Sequence, residues 1–547
     1  MDSQRAAFPP GRTTNLSGGS MRASPGDRAV AEFVSSAPQV PPLHRTTRLA
    51  YLLALLAAVT YAAFILQPSN RGDIGPYLVL LGAEIILIGS AALTIWTILA
   101  GDGLSESDAV KAQRSELTSG RWSPSVDIFI TVYGEPIELV TETIKAALAV
   151  TASHRTLVCD DGCSPEVEWV ARSLGAEYLP RRSSEGAKAG NINYALAHSD
   201  ADFVAIFDAD HIPHPDFLVV TLAHFVDESV AFVQSPQHYR NGARGPIARS
   251  GQQSQRIFYE LVCPGKNAFN AAFHVGTNAV FRRDALDEVG GIFTESNSED
   301  IWTSLRLHRL GWSSVYVADV LALGLAPETM QQHLDQQFRW ASGSFEVLLK
   351  GRPFTDGRLT LDQRLQYLTP SLHYLQSISM LFYLLLPVLF LLFGWAPLAV
   401  DSSVWLTRFL PFYVLTQLAL FLQMGSIGVW PTVLALAAAP VHVRAFISVA
   451  IGRGRSWKVT NTNSTADQVL HLMRDQLILA MVLASGLVVG VVAFADPSQT
   501  WIALGLCLFN LILLVAGIVV ADTDRRRRRR DRPAGRLGAP AVAGSRR

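Results

Sequence analysis

FVAIFDADH, residues 203–211, is a run of five apolar residues that ends in Asp208 and Asp210. A short continuous apolar run bounded by polar residues reads as a buried strand. Two upstream segments have the same form, VDIFITVYGEP (126–136) and RTLVCDDG (155–162). In an open α/β sheet, ligands bind outside the carboxyl ends of strands, so the three tips are expected to converge on one crevice. Asp160, Asp161, Asp208 and Asp210 meet there on this reading, with Thr131, Tyr133 and Glu135 at the end of the first strand. Four carboxylates in one cleft repel unless cations or hydrogen-bond donors satisfy them. An Asp-x-Asp pair offers the hard oxygen ligands that magnesium accepts alongside phosphate oxygens. The set fits a nucleotide diphosphate with a divalent metal on Asp208 and Asp210, whereas each Asp taken singly reads as a turn or cap residue.

Three further segments add to that crevice. EGAKAGNINYAL (185–196) suits a glycine-rich loop opening a helix whose N-terminus faces an anion, with Lys188 in reach of phosphates. FTESNSEDIWTSLRLHRLGW (293–312) reads as a helix capped by Ser298 with Glu299 and Asp300 in its first turn. As a functional residue, Asp300 is placed to take a proton from an acceptor hydroxyl, the work of a general base. In QHLDQQFRWASGSFEVLLK (332–350), Leu334, Phe338, Ala341, Phe345, Leu348 and Leu349 fall on one helical stripe, and Gln336, Arg339 and Trp340 on the other. Such a helix, lying on a membrane, presents Arg339 to a departing diphosphate and Trp340 to a sugar ring.

The chain around this core is too apolar to be wholly soluble: of 547 residues, 49% are hydrophobic and 17% charged. Apolar runs at about 47–67, 76–100, 373–395, 404–424, 473–495 and 501–520 each approach the ~20 residues needed to cross a bilayer. The expected plan is a disordered basic arm over 1–46, two transmembrane helices over 47–100 and a cytosolic α/β domain over 101–350. Four transmembrane helices over 351–520 and a basic disordered tail over 521–547 follow. The segment 431–452, with Pro440, His442 and Arg444 in its middle, is placed as an interfacial helix. Six spans keep both termini, the domain and the six arginines at 525–530 on the cytoplasmic side of the plasma (inner) membrane, as the positive-inside rule requires. The arginine run itself reads as a topology anchor drawn to anionic lipid. Lys plus Arg and Asp plus Glu both total 46, which gives no sign of nucleic-acid binding. Cys159, Cys163, Cys263 and Cys507 are too scattered for a disulfide framework and are expected to be free thiols.

In this order, these segments resemble the family 2 glycosyltransferases with the GT-A fold, of the bacterial cellulose synthase type, over about residues 47–520. The shared strings are DDG (160–162), KAGNINYAL (188–196), DADH (208–211), SED (298–300), GLAPET (324–329) and QQFRW (336–340). The resemblance implies a processive, inverting transferase that polymerises a UDP-sugar and threads the product through its own helices. By it, Asp160 and Asp161 hold the uracil and ribose, and Asp208 and Asp210 a diphosphate with Mg2+, or Mn2+ in its place. Thr131, Tyr133, Glu135 and Lys188 complete the donor site. Asp300 is the base, with Glu299 beside it, and Gln336, Arg339 and Trp340 bind the acceptor end and the leaving diphosphate. A gating loop over 455–465 includes Trp457, Val459 and Thr460.

SED replaces the usual TED, Trp457 stands where Phe is usual, and Thr462 where Lys is usual. UDP-glucose is the donor by overall likeness, with UDP-N-acetylglucosamine left open. The implied partners are the UDP-sugar, the growing polysaccharide, the lipid bilayer and an accessory export protein. No cyclic-di-GMP-binding domain is expected after the sixth span. Three alternatives stay open: the synthase of another polysaccharide, a non-processive transferase acting on a lipid, and a transporter with a regulatory domain, which has no need of Asp208, Asp210 and Asp300.

Overall fold

The computed structural model describes residues 33, 42–101, 106–425, 428–452, 469–493 and 497–531. Most of the arm expected over 1–46, and Trp457, Val459 and Thr460 of the expected gating loop, lie outside the described residues.

The three strands anticipated from their apolar runs form the centre of a mixed sheet. β1 (Val126–Val132) pairs in parallel with β2 (Arg155–Asp160) on one side and β4 (Phe203–Asp208) on the other. All seven residues of β1 are buried, as expected of a strand covered on both faces. With β3 (Glu177–Pro180), β6 (Val230–Gln234), β8 (Ala279–Arg282) and β9 (Ser313–Tyr316), the sheet runs β3-β2-β1-β4-β8-β6-β9 among the described residues. A second small sheet joins β5 (Ile212–Pro213), β10 (Ala322–Gly324) and β7 (His238–Tyr239) in the order β5-β10-β7. Register brings the catalytic-looking tips level, with Val132 opposite Asp160 and Thr131 opposite Asp208. One core lies on each face of the main sheet. Val140, Ile144, Val167 and Phe217 cover one side, and Ile192, Leu196, Leu286 and Leu307 the other.

Seven helices among the described residues are long and apolar enough to cross a membrane: α1 (Arg45–Leu66), α2 (Ile74–Ala100), α8 (Leu361–Phe393), α9 (Ser402–Met424), α10 (Val429–Ala450), α11 (Arg474–Ala493) and α12 (Pro497–Asp531). The chain is membrane-integrated. Between α2 and α8 the domain contributes α3 (Ile137–Leu148), α4 (Ala187–Leu196), α5 (Pro246–Ile257), α6 (Glu299–Arg309) and α7 (Met330–Glu346). α10, the segment read as interfacial, meets the length and apolarity of a span. It is also the most enclosed of the seven, with 56% of its apolar window buried against 11–33% for the others. Leu434, Ala437, Ala438 and Val441 on α10 pack against Met330 and Leu334 of α7 and Ile247 of α5.

Two expectations need correction. The tail placed in disorder from residue 521 is helical to Asp531, because Asp522 pairs one turn on with Arg526 at 2.6 Å and with Arg525 at 4.0 Å. Ser298 occupies the N-cap position of α6 but makes no side-chain cap. Its hydroxyl is instead pressed against α7, where a Cβ added at Gly343 would lie 1.5 Å from Ser298 Oγ. α7 has its own cap at Thr329, reciprocated by Gln332.

Candidate active site

A cleft of about 1400 Å³ opens at the carboxyl ends of β1, β2 and β4 and runs to α7. It is lined by Thr131, Tyr133, Glu135, Asp161, Lys188, Asp208, Asp210, Glu299, Asp300, Gln336, Arg339 and Trp340, residues separated by up to 209 positions in the chain. Asp160 is the one described member of the expected set that lies elsewhere. It is fully buried, and its carboxylate accepts hydrogen bonds from Gly162 N and Ser164 N, both at 2.7 Å, and from the Tyr178 hydroxyl at 2.9 Å. A buried carboxylate must find donors, and the turn after β2 supplies them, so Asp160 shapes the loop rather than facing a ligand.

Asp161 faces the cleft and is gripped in bidentate fashion by Arg181, at 2.6 and 2.7 Å. The same guanidinium donates to Glu185 O at 2.7 Å and Ala187 O at 3.0 Å, and so pins the loop that opens α4. That loop turns through Gly186 at φ +69°, a left-handed conformation natural to glycine. It places Lys188 at the start of α4, where the amine pairs with Asp208 and donates to Gly276 O at 2.5 Å. Burial works against the charged amine, but Asp208, Glu299 and Asp300 outweigh it and raise its pKa above the ordinary lysine value. Asp208 is held below the usual carboxylate range: burial opposes this, and Lys188, His211 and Arg339 prevail.

Asp208, Asp210 and His211 bring a donor atom each within 4.8 Å of one another. His211 Nδ1 lies 2.8 Å from Asp210 Oδ1, and its Nε2 is buried without a hydrogen-bond partner. Two carboxylates of an Asp-x-Asp turn fit a hard divalent cation that keeps positions for phosphate oxygens.

At the other wall, Asp300 sits in the first turn of α6. Burial, followed by the adjacent negative charge of Glu299, raises its pKa to about 7. Glu299 is raised as well, chiefly by burial. Glu135 is pushed up to about 7, first by burial and then by Asp210 and Asp208. α7 supplies the floor. Its apolar stripe faces the bundle, with Leu334, Ala341 and Phe345 buried, while Gln336, Arg339 and Trp340 line the cleft. Tyr239 shares a hydrogen bond with Gln336 and orients it. Leu349, placed on the apolar stripe, is 38% exposed, because a π-helical turn over Val347–Gly351 rotates it away.

Sequence reasoning missed Arg181, Tyr239, Arg240 and Arg527, all of which border or brace this cleft. Only tertiary placement distinguishes them from other arginines and tyrosines. It also passed over Glu84, buried within α2 and bonded by the hydroxyls of Tyr61 on α1 and Tyr383 on α8, with Trp405 Nε1 of α9 donating to Tyr61 at 3.0 Å. A lone Glu in an apolar run was the available signal.

A GT-A-like α/β core, with an Asp-x-Asp turn at its switch point and a base-like carboxylate across the cleft, defines a sugar-nucleotide transferase domain. Residues 124–343 match the family model "Glycosyltransferase like family 2", and residues 286–429 match "Cellulose synthase". The chain thus carries a cellulose synthase-like family 2 glycosyltransferase domain. It is 32% identical over 436 residues to the UDP-forming cellulose synthase catalytic subunit of Pseudomonas fluorescens, covering 76% of this chain and 59% of that one. It is 31% identical over 428 residues to cellulose synthase 1 of Komagataeibacter xylinus, covering 74% of this chain and 28% of that one. The chain therefore spans between about a quarter and three fifths of the length of these relatives. Among solved structures, a mannosyltransferase from Pyrobaculum calidifontis aligns at a TM-score of 0.42 and 17% identity, over 82% of this chain and 99% of that one.

Proposed function

We propose that this chain polymerises a UDP-sugar, UDP-glucose by likeness, into a β-linked glucan and passes the product through its helix bundle. The observation that carries the reading is the joint presence of Asp208, Asp210, Asp300, Arg339 and Trp340 on one cleft whose floor, α7, rests on membrane helices. The catalytic domain and both termini lie on the cytoplasmic side of the plasma membrane on this reading.

Asp161 and the β1 loop hold the nucleoside end, and Lys188 stands beside the diphosphate. Asp208 and Asp210 hold a divalent cation, magnesium or manganese, which when bound offsets the charge of the diphosphate. Asp300 takes the proton from the acceptor hydroxyl as that oxygen attacks the anomeric carbon. Its raised pKa makes it a stronger base than an exposed aspartate, and Glu299 next to it sustains the shift. Arg339, on the same cleft, offsets the charge that grows on the leaving UDP, and Trp340 offers a flat face to the acceptor sugar. Attack opposite the leaving group inverts the anomeric centre.

Asp300→Asn tests the assignment. Incorporation of radiolabelled glucose into ethanol-insoluble product is expected to fall at least ~1000-fold while UDP affinity stays within about threefold. Equal loss of both would make Asp300 a structural residue.

A further inference from the structure

α12 does not stop at the membrane. It continues as a helix through the arginine run, and Arg527 lines the same cleft as Asp208 and Asp300. Its neighbours along the helix turn back, Arg525 and Arg526 both reaching Asp522. Arg527 reaches the domain and donates to Arg244 O at 3.2 Å. This contact holds the guanidinium against the segment that precedes α5, beside Arg244, which itself pairs with Glu328 in the cleft lining.

The charge balance of the cleft gives that placement a consequence. Among the described residues, eleven carboxylates line it against five Lys and Arg, and two of the eleven, Asp161 and Glu346, are paired with Arg181 and Lys350 from outside the lining. Three of the five are engaged with cleft carboxylates: Lys188 with Asp208, Arg240 with Glu142 at 2.6 Å and Arg244 with Glu328 at 2.8 Å. Arg339 stands among Asp208, Glu299 and Asp300. A doubly or triply charged diphosphate entering a cavity with this excess of carboxylates meets repulsion unless cations offset it. Arg527 brings positive charge to that cleft from outside the α/β domain.

We propose that Arg527 is a donor-binding residue that contacts the diphosphate of the incoming nucleotide, so that the last membrane helix forms one wall of the nucleotide site. The inference rests on the proposed UDP-sugar chemistry. It assigns to the arginine run a task at the cleft in addition to any attraction to lipid headgroups.

Binding of UDP and of uridine, each with Mg2+, to the full chain in neutral detergent separates the readings. Uridine lacks the phosphates, and the micelle lacks anionic lipid. Arg527→Ala is expected to weaken UDP about 5- to 10-fold and uridine less than twofold, and Arg527→Lys to restore most of the loss. The deficit for UDP should shrink as salt rises from about 50 to 500 mM. Unchanged UDP affinity in Arg527→Ala, or equal weakening of UDP and uridine, overturns the inference while leaving the transferase reading intact. A wild-type chain that binds no UDP overturns both.

Discussion

Asp300 illustrates how environment sets chemistry at a single residue. An aspartate in water is a weak base, but burial beside Glu299 raises its pKa to about 7. The sign of the pH dependence follows. In its proposed role as base, Asp300 works only when deprotonated, so kcat/KM is expected to fall as pH drops through about 7, approaching tenfold per unit. A profile flat to pH 5 would separate Asp300 from the proton transfer. Arg181 gives a second test. It closes a bidentate pair with Asp161 in which both side chains are under 10% exposed. Arg181→Ala leaves a buried carboxylate without its cation and should cost about 3–5 kcal/mol of domain stability, read as a lowered unfolding midpoint, together with weaker UDP binding. An unchanged midpoint would show that water replaces the guanidinium. Much of this site was legible from residue order, since Asp208, Asp210, Asp300, Gln336, Arg339 and Trp340 all reach the cleft. The burial of Asp160 was not legible, because a sequence does not show that Gly162, Ser164 and Tyr178 turn their donors onto it.

At the scale of elements, the contact between α6 and α7 sets the spacing of the base and the acceptor floor. Gly343 permits it by leaving room for Ser298. Gly343→Ala should push α7 away from Asp300 and lower polymer synthesis by about 100-fold, since a displacement near 1 Å has that effect on aligned reactants. UDP affinity should change much less, because the proposed nucleoside site lies at the ends of β1 and β2. Activity within threefold of wild type would show that the two helices do not fix the reaction geometry. Periodicity disclosed α7 and its polar face but not this contact. The Ser298 cap was a sound local expectation, and it failed because tertiary packing claimed the hydroxyl. The helical extent of 521–531 was hidden in the same way, since a basic run gives a disorder signal unless its pairing to Asp522 is known.

For the whole molecule, the placement of the cleft ties synthesis to the bundle. α7 is a face of both: its polar side carries Gln336, Arg339 and Trp340, and its apolar side packs on α10 and on Val520 and Ala521 of α12. α10 adds a polar link, with His442 bridging Gln337 of α7 at 3.1 Å and Ser377 of α8 at 2.6 Å. On the proposed function, a sugar added beside Trp340 is joined on a helix that itself packs against the bundle. Two spans, a domain and a second group of helices were readable from hydropathy, but the enclosure of α10 was not, because its neighbours are remote in sequence. The direct test uses the purified chain in sealed liposomes, oriented with the α/β domain outward and given radiolabelled UDP-glucose with Mg2+. The account predicts labelled polymer in the lumen, resistant to added β-glucanase until detergent opens the vesicles. Labelled polymer that the enzyme digests at once from outside, or label confined to single sugars on lipid, would contradict it.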